Sequence, residues 1–164
     1  MQFSKRLTAS FILGVLGWMV STPSLCQSVD FNRYSVPEWQ GSHAAPNFSG
    51  RSKEFYTFRT VIRDGFRRGP IVAGHYSLIR IGCGMECVTY LFGDVKDGSI
   101  ISLPIGGEYY PSLTLTTAPD SRLVVAKWGD PLKNECTVRS YVLVGTRFSQ
   151  VGQDRKLRRG CENF

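Results

Sequence analysis

The chain of 164 residues is 42% hydrophobic and 20% charged, and it carries a net charge of +7 at neutral pH. This length suits a single domain that can bury a hydrophobic core, and it excludes a full propeller of four-stranded blades. The positive charge favours anionic partners such as lipid headgroups, cell-wall polymers or an acidic protein, although the same charge also serves solubility.

Residues 1–28 have the pattern of a secretory signal peptide. Lys5 and Arg6 precede a ten-residue apolar run at positions 11–20, and Pro23 follows that run. The run is shorter than the about 20 residues that a membrane-spanning helix needs, so we expect no integral membrane span in the mature protein. The signal predicts a periplasmic or secreted location, which argues against a nucleic-acid partner.

The cleavage site is predicted after Cys26 or Ser28, where smallish residues occupy the cleavage positions. A lipoprotein acylated at Cys26 is disfavoured because Leu25 stands where a small residue is needed. An uncleaved anchor is the other alternative. Loss of the two basic residues of the signal lowers the net charge from +7 to +5.

Four cysteines remain after cleavage, and an even number in a short exported chain predicts two disulfides among three possible pairings. We predict Cys83–Cys87, where flanking glycines let the backbone fold back, and Cys136–Cys161, which closes a loop for roughly 3 kcal/mol. A zinc site and a redox pair are disfavoured because the C-x2-C spacing is absent. We expect no metal and no cofactor.

Residues 29–50 are rich in Pro, Gly, Ser and Asn without a clear period, and they predict an extended, loosely held arm. The next segment predicts the one helix of the chain, over residues 53–68. Its apolar positions recur at helical spacing, at Phe55, Phe58, Ile62 and Phe66, and Gly69-Pro70 ends it.

From residue 74 onward the apolar period changes to two. We predict strands over residues 75–81, 87–92, 99–105, 112–117, 123–128, 137–144 and 147–152, joined by short turns such as Asp97-Gly98. The fold class is therefore α+β leaning all-β: one N-terminal amphipathic helix, then an antiparallel meander of about seven strands. We expect residues 51–164 to form one disulfide-bonded domain, as a curved sheet or small barrel.

A short motif adds a resemblance to this pattern. Ala73-Gly-His-Tyr76 is followed by a strand, by Gly82-Cys-Gly84 and Cys87, and later by Pro119-Asp-Ser-Arg122. Residues 59–148 resemble a family of small exported bacterial proteins of unknown function that share these motifs. The resemblance implies export and a similar fold but no reaction. Arg80-Ile81 departs from the family, whose members often carry an aromatic residue there.

The chain has no G-x-S-x-G, H-E-x-x-H or Walker motif. Of its two histidines, His75 is the weak catalytic candidate, with Glu86 as its acid, but a structural role at the strand entrance is favoured. Paired carboxylates could also hydrolyse a glycan, yet the candidates lie at turns, where acids are common: Glu86, Asp94, Glu108 and Asp130.

We therefore hypothesise a non-enzymatic binding module, an inhibitor- or immunity-type partner of an envelope protein or toxin. Its candidate binding residues are exposed aromatic and basic side chains, namely Trp39, Tyr109, Tyr110, Trp128, Arg155, Lys156, Arg158 and Arg159. Core packing is the alternative role for Trp128. Two other hypotheses are a structural or surface-associating envelope component that uses the basic tail, and a cell-wall-directed hydrolase that uses His75 and an acidic residue.

Overall fold

A computed structural model of the protein describes residues 29–68, 72–130, 134–158 and 161, with the side chain of Asp130 left out. The predicted signal peptide, the Gly69-Pro70 stop signal and Arg159 lie outside the described residues. Across the described ranges, no helix is both long enough and apolar enough to cross a bilayer.

Seven strands in the described residues form two antiparallel sheets, and within each sheet consecutive strands of the chain pair with each other. The first sheet contains β1 (Tyr76–Gly84), β2 (Cys87–Asp94) and β3 (Ile100–Ser102). The second contains β4 (Thr114–Ala118), β5 (Ser121–Asp130), β6 (Glu135–Val144) and β7 (Arg147–Arg158). The antiparallel meander is confirmed. The prediction of one curved sheet or a small barrel is wrong, because there are two sheets and neither closes.

The break between the sheets lies in residues 103–113, which we call the crossover loop. The sequence predicted a strand up to residue 105, but β3 ends at Ser102. Leu103, Ile105 and Leu113 are buried in the apolar cluster that both sheets share. These loop residues turn into the space between the sheets and do not extend β3. The chain therefore leaves the first sheet here and begins a second sheet, which packs face to face with the first.

Three apolar clusters divide the molecule into layers. The central cluster lies between the sheets and contains Phe92 of β2 together with Val124 and Leu143 of the second sheet. A second cluster lies on the outer face of the first sheet, under the helical segment. A third lies on the outer face of the second sheet, under the residues that begin at Val29. Strands β2 and β5 are therefore buried on both faces, which explains their nearly continuous apolar sequences.

The helical segment begins as a 3-10 helix, Gly50–Phe58, and continues as α1 (Arg59–Arg67). The prediction of one α-helix over residues 53–68 is thus right about helical structure and wrong about its first half. Ser52, Phe55 and Phe58 recur every three residues, which is the period of a 3-10 helix. This winding places Phe55 against the outer cluster of the first sheet.

Two glycines let α1 lie close to the first sheet. A Cβ atom on Gly65 would lie 2.5 Å from Ile79, and one on Gly93 would lie 2.1 Å from the ring of Phe66. The hydroxyl of Ser77 donates a 2.6 Å hydrogen bond to the carbonyl oxygen of Gly65, so it also ties the helix to β1. Gly65 weakens the helix locally, but it is needed for this close contact.

Residues 29–49 run across the molecule as a mostly extended arm with one short 3-10 helix, Asn32–Tyr34. Backbone N–H groups of the arm donate to carbonyl oxygens of the body at four places, over distances of 2.7 to 2.8 Å: Val36 to Asp120, Trp39 to Gly74, Ala44 to Val95 and Asn47 to Gly98. The hydroxyl of Ser121 adds a bond to the carbonyl oxygen of Phe31. The arm is therefore held more tightly than its composition predicts.

Both predicted disulfides are present. Cys83 and Cys87 join the ends of β1 and β2, with their Cα atoms 5.1 Å apart. Cys136 and Cys161 are joined with their Cα atoms 4.9 Å apart. The second bridge fixes Cys161, three positions beyond β7, to the buried start of β6, where Cys136 belongs to the outer cluster of the second sheet.

We predict that Gly98→Ala weakens the attachment of the arm. Gly98 has a φ of +80°, and a Cβ atom there would lie 2.2 Å from the carbonyl oxygen of Ala45. Gly107 has a φ of +76° with no atom within 4 Å of its Cβ position, so Gly107→Ala carries the backbone strain without the clash. We expect Gly98→Ala to lower the free energy of unfolding in urea by about 2 kcal/mol more than Gly107→Ala does.

Amide hydrogen exchange locates this effect. The amide of Asn47, which bonds to Gly98, should exchange faster in the Gly98→Ala protein than in the Gly107→Ala protein. Equal loss of stability in the two variants, with unchanged exchange at Asn47, would show that the arm contact contributes nothing.

Candidate functional site

Backbone hydrogen bonds fix the crossover loop at one end of both sheets. The N–H of Gly107 donates to Val88 of β2 over 2.9 Å, and the N–H of Ser112 donates to Glu86 over the same distance. On the side of the second sheet, the N–H of Gly129 donates to Pro111 over 3.1 Å. The loop residues between these bonds are therefore held against β2 and β5.

The crossover loop places Tyr109 and Tyr110, two of the predicted binding residues, beside Trp128, which is a third. The ring of Tyr110 contacts the ring of Trp128 edge to face, with centroids 5.1 Å apart. Trp128 packs against the central cluster but is only partly buried, so it contributes to the core and also keeps part of its ring at the surface. Tyr109 is 92% exposed beside them. Three aromatic residues that the sequence singled out separately therefore form one surface.

The strand register brings a basic residue into the same place. Trp128 of β5 pairs with Thr137 of β6, and Thr137 pairs with Lys156 of β7, so the three side chains form one cross-strand row. The Nζ of Lys156 lies 3.4 Å from a carboxylate oxygen of Glu135. These residues, with Tyr109, Pro111 and Gly129, line a shallow cleft of about 240 Å³, which we call the aromatic cleft.

A rigid ion pair stands beside the cleft. Arg139 binds Asp154 through two parallel hydrogen bonds of 2.7 and 2.5 Å, and its guanidinium lies 5.2 Å from the centre of the Trp128 ring. The hydrogen bond from Arg139 lowers the pKa of Asp154. This fork geometry orients the guanidinium over the indole, where cation–π attraction adds to it. Arg139 is a site residue that sequence inspection missed, because nothing in its neighbours along the chain marks it.

The basic tail does not form a single patch. Residues 155–158 continue β7, which was predicted to end at residue 152. Side chains alternate along a strand, so Lys156 and Arg158 share the face of the aromatic cleft while Arg155 lies on the opposite face. Arg155 there lines a different cleft, together with arm residues such as Arg33.

His75 and Glu86 are not brought together. They stand at opposite ends of β1, which puts them about 30 Å apart at the usual rise of a strand. The predicted pairing of His75 with Glu86 in a hydrolase therefore has no geometric basis. Ser77, two residues from His75, is buried with its hydroxyl bonded to the helix, so it offers no accessible nucleophile.

The neighbour of His75 is instead Asp94, one of the turn acids. The Nε2 of His75 lies 3.5 Å from one carboxylate oxygen of Asp94, and the other oxygen accepts a 2.8 Å hydrogen bond from the N–H of Lys96. The register of the β1–β2 hairpin, in which Tyr76 pairs with Asp94, makes this contact. Burial lowers the pKa of His75 below 6.5, and the Asp94 charge opposes that change. The arrangement fits the structural role expected for this histidine.

The remaining turn acids form no paired-carboxylate site that the structure describes. Glu108 is an exposed residue of the crossover loop, and the Asp130 side chain is outside the description. Within the described residues, no group of three or more His, Cys, Asp or Glu side chains is placed to hold a metal ion.

Comparison with known proteins adds no relative. No protein-family model matches the chain, and no curated protein or solved structure matches it. The resemblance based on the AGHY and GCG motifs therefore stays a prediction.

We predict that the side chain of His75 titrates below pH 6.5 in an NMR titration, with a His75→Gln variant giving the assignment. Asp94→Asn keeps an oxygen acceptor for Lys96 but removes the charge that raises the pKa, so it should move the midpoint lower. Because the folded protein binds the proton more weakly than the unfolded chain, the free energy of unfolding should fall as the pH drops below about 6.5. This dependence should be smaller in His75→Gln. A midpoint above 6.5 would contradict the role of burial.

Proposed function

We propose that this protein is an exported, non-enzymatic binding module that recognises a protein partner through the aromatic cleft. The single observation that carries the proposal is Tyr109. Its ring is 92% exposed, yet the loop that bears it is fixed by backbone hydrogen bonds to both sheets. Because the backbone is already fixed and a tyrosine has only two side-chain torsions, little conformational entropy is lost when a partner covers this ring.

The composition of the surface supports a protein partner. Tyrosine, tryptophan and arginine dominate the energy of protein interfaces, and Tyr109, Tyr110, Trp128 and Arg139 supply all three types within one region. The pair of Lys156 with Glu135 offers both charge signs at the rim. A rim of mixed charge favours a specific partner over a uniformly charged polymer.

The two disulfides support export. Such bridges persist in oxidising compartments, and the two pairs here join the four cysteines that a cleaved signal would leave. A periplasmic or secreted inhibitor or immunity-type protein, acting on an envelope protein or a toxin, combines this compartment with a rigid contact surface.

The test is a comparison of variants in affinity capture from an envelope fraction. Tyr109→Ser removes the exposed ring of the cleft, and Tyr56→Ser removes another exposed tyrosine, which lies on the 3-10 helix. We expect one partner to be retained by the wild type and by Tyr56→Ser and lost by Tyr109→Ser. With that partner purified, Tyr109→Ser should weaken binding about 30-fold, the size of a typical interface hot spot.

The same capture can reject the proposal. If no protein is retained reproducibly, or if all three proteins retain the same partner equally, the aromatic cleft is not a binding site. Thermal unfolding of the Tyr109→Ser protein serves as a control, since a ring so exposed should contribute little to stability.

A further inference from the structure

Basic residues are concentrated on the helical segment. The stretch from Gly50 to Arg68 holds six basic and two acidic residues, a net charge of +4, while the chain without its predicted signal carries +5. The net charge of this one 19-residue element, which lies on the outer face of the first sheet, is thus nearly as large as that of the whole chain without its signal. This surface is on the opposite side of the molecule from the arm residues that cover the second sheet.

Three arginines form a row along α1. Arg59, Arg63 and Arg67 are spaced by four residues, which places them on one side of the helix. Arg59 lies 4.9 Å from the centre of the Tyr56 ring, and Arg63 lies 5.8 Å from that of Phe48. Neither of these two arginines has an acidic partner among the described residues. Arg67 lies 3.4 Å from Asp64, but both side chains are largely exposed, so the attraction between them is weak.

The arm turns this row into the wall of a pocket. Between the arm and α1 there is a recess of about 450 Å³, lined by His43, Pro46, Arg63, Phe66 and Arg67 among others. Two arginines in the lining of one recess suit the oxygens of a phosphate group, which arginine binds with bidentate geometry.

Exposed apolar side chains accompany the arginines. Tyr56, Phe58 and Val61 are between 41% and 53% exposed, although α1 buries Ile62 and Phe66 and the 3-10 helix partly buries Phe55. Basic residues beside exposed aromatic and aliphatic ones are the composition of helices that lie on a membrane surface. Anionic headgroups match the charge of the arginines, and the bilayer interface accommodates exposed apolar side chains.

We propose that this surface, the arginine ridge of Arg59, Arg63, Arg67 and Tyr56, docks on a bilayer of anionic phospholipid. Headgroup phosphates bind between Arg63 and Arg67 in the pocket beside the arm, and the ring of Tyr56 enters the interfacial region. The basic tail is a poorer candidate, because Lys156 is paired with Glu135 and because Arg155 and Lys156 lie on opposite faces of β7. The inference goes beyond the proposed partner binding and does not depend on it.

Sedimentation with lipid vesicles tests the ridge. We expect the signal-free protein to bind vesicles of phosphatidylcholine containing phosphatidylglycerol, to ignore pure phosphatidylcholine, and to dissociate as salt is added. Replacement of three cations by R59Q/R63Q/R67Q should weaken binding on the order of 100-fold, since each basic residue near an anionic surface contributes about a factor of five. Thermal unfolding checks that this variant is folded, and the double variant R63Q/R67Q, with a loss of about 20-fold, replaces it if it is not.

A second triple variant is the matched control. R155Q/K156Q/R158Q removes the same number of positive charges from β7, and it should keep most of the vesicle binding. If both triple variants lose binding equally, net charge is responsible and the ridge is not a docking site. If an acidic polypeptide such as polyglutamate binds the ridge with the same affinity as the vesicles, the membrane assignment is wrong. The partner-capture experiment with Tyr109→Ser is independent of these results, so either proposal can fail alone.

Discussion

Burial of side chains between the two sheets is the contact on which the other parts of the molecule depend. Phe92, Val124 and Leu143 meet there with the crossover-loop residues Leu103 and Leu113. Because the loop contributes to this central cluster, its path is fixed by the core, and so is the position of Tyr109 and Tyr110. The first sheet must also be held in place for α1 to pack on it, with Gly65 against Ile79 and Phe66 against Gly93. The core thus determines both surfaces for which we propose a function.

Those two surfaces differ in the physics of their charges. At the aromatic cleft the charges are paired, as in Arg139 with Asp154 and Lys156 with Glu135. On the arginine ridge, Arg59 and Arg63 contact aromatic rings. Paired charges give orientation and selectivity at short range, whereas cations without acid partners give a field that extends for about a Debye length. One protein can in this way carry a specific contact and a general attraction on separate faces.

Local patterns predicted the local structure well, and the reasons are physical. Period-two alternation and Asp97-Gly98 located the β1–β2–β3 meander, since both act over a few residues. The glycines around Cys83 and the count of four cysteines led to both disulfides. The sequence could not show that β3 stops at Ser102, because Leu103 and Ile105 alternate as a strand would, although they enter the core as a loop.

The site was predicted in its parts and not as a whole. Tyr109, Trp128 and Lys156 were chosen for their chemistry, but only the pairing of β5, β6 and β7 puts them together. No sequence pattern marks Arg139. The acid predicted for His75 was the distant Glu86, whereas its actual neighbour, Asp94, is determined by the register of the β1–β2 hairpin. Long-range register is set by the packing of whole faces, which a short window of sequence does not contain.

The arm has a consequence for the order of folding. It comes before every strand in the chain, but its contacts are with residues made much later: Phe31 receives its hydrogen bond from Ser121, 90 residues away. The part of the arm that covers the second sheet cannot dock until β5 is in place, so it comes first in the domain and is among the last parts to be fixed. Until then the apolar outer face of the second sheet stays uncovered, so an incompletely folded chain exposes apolar surface there.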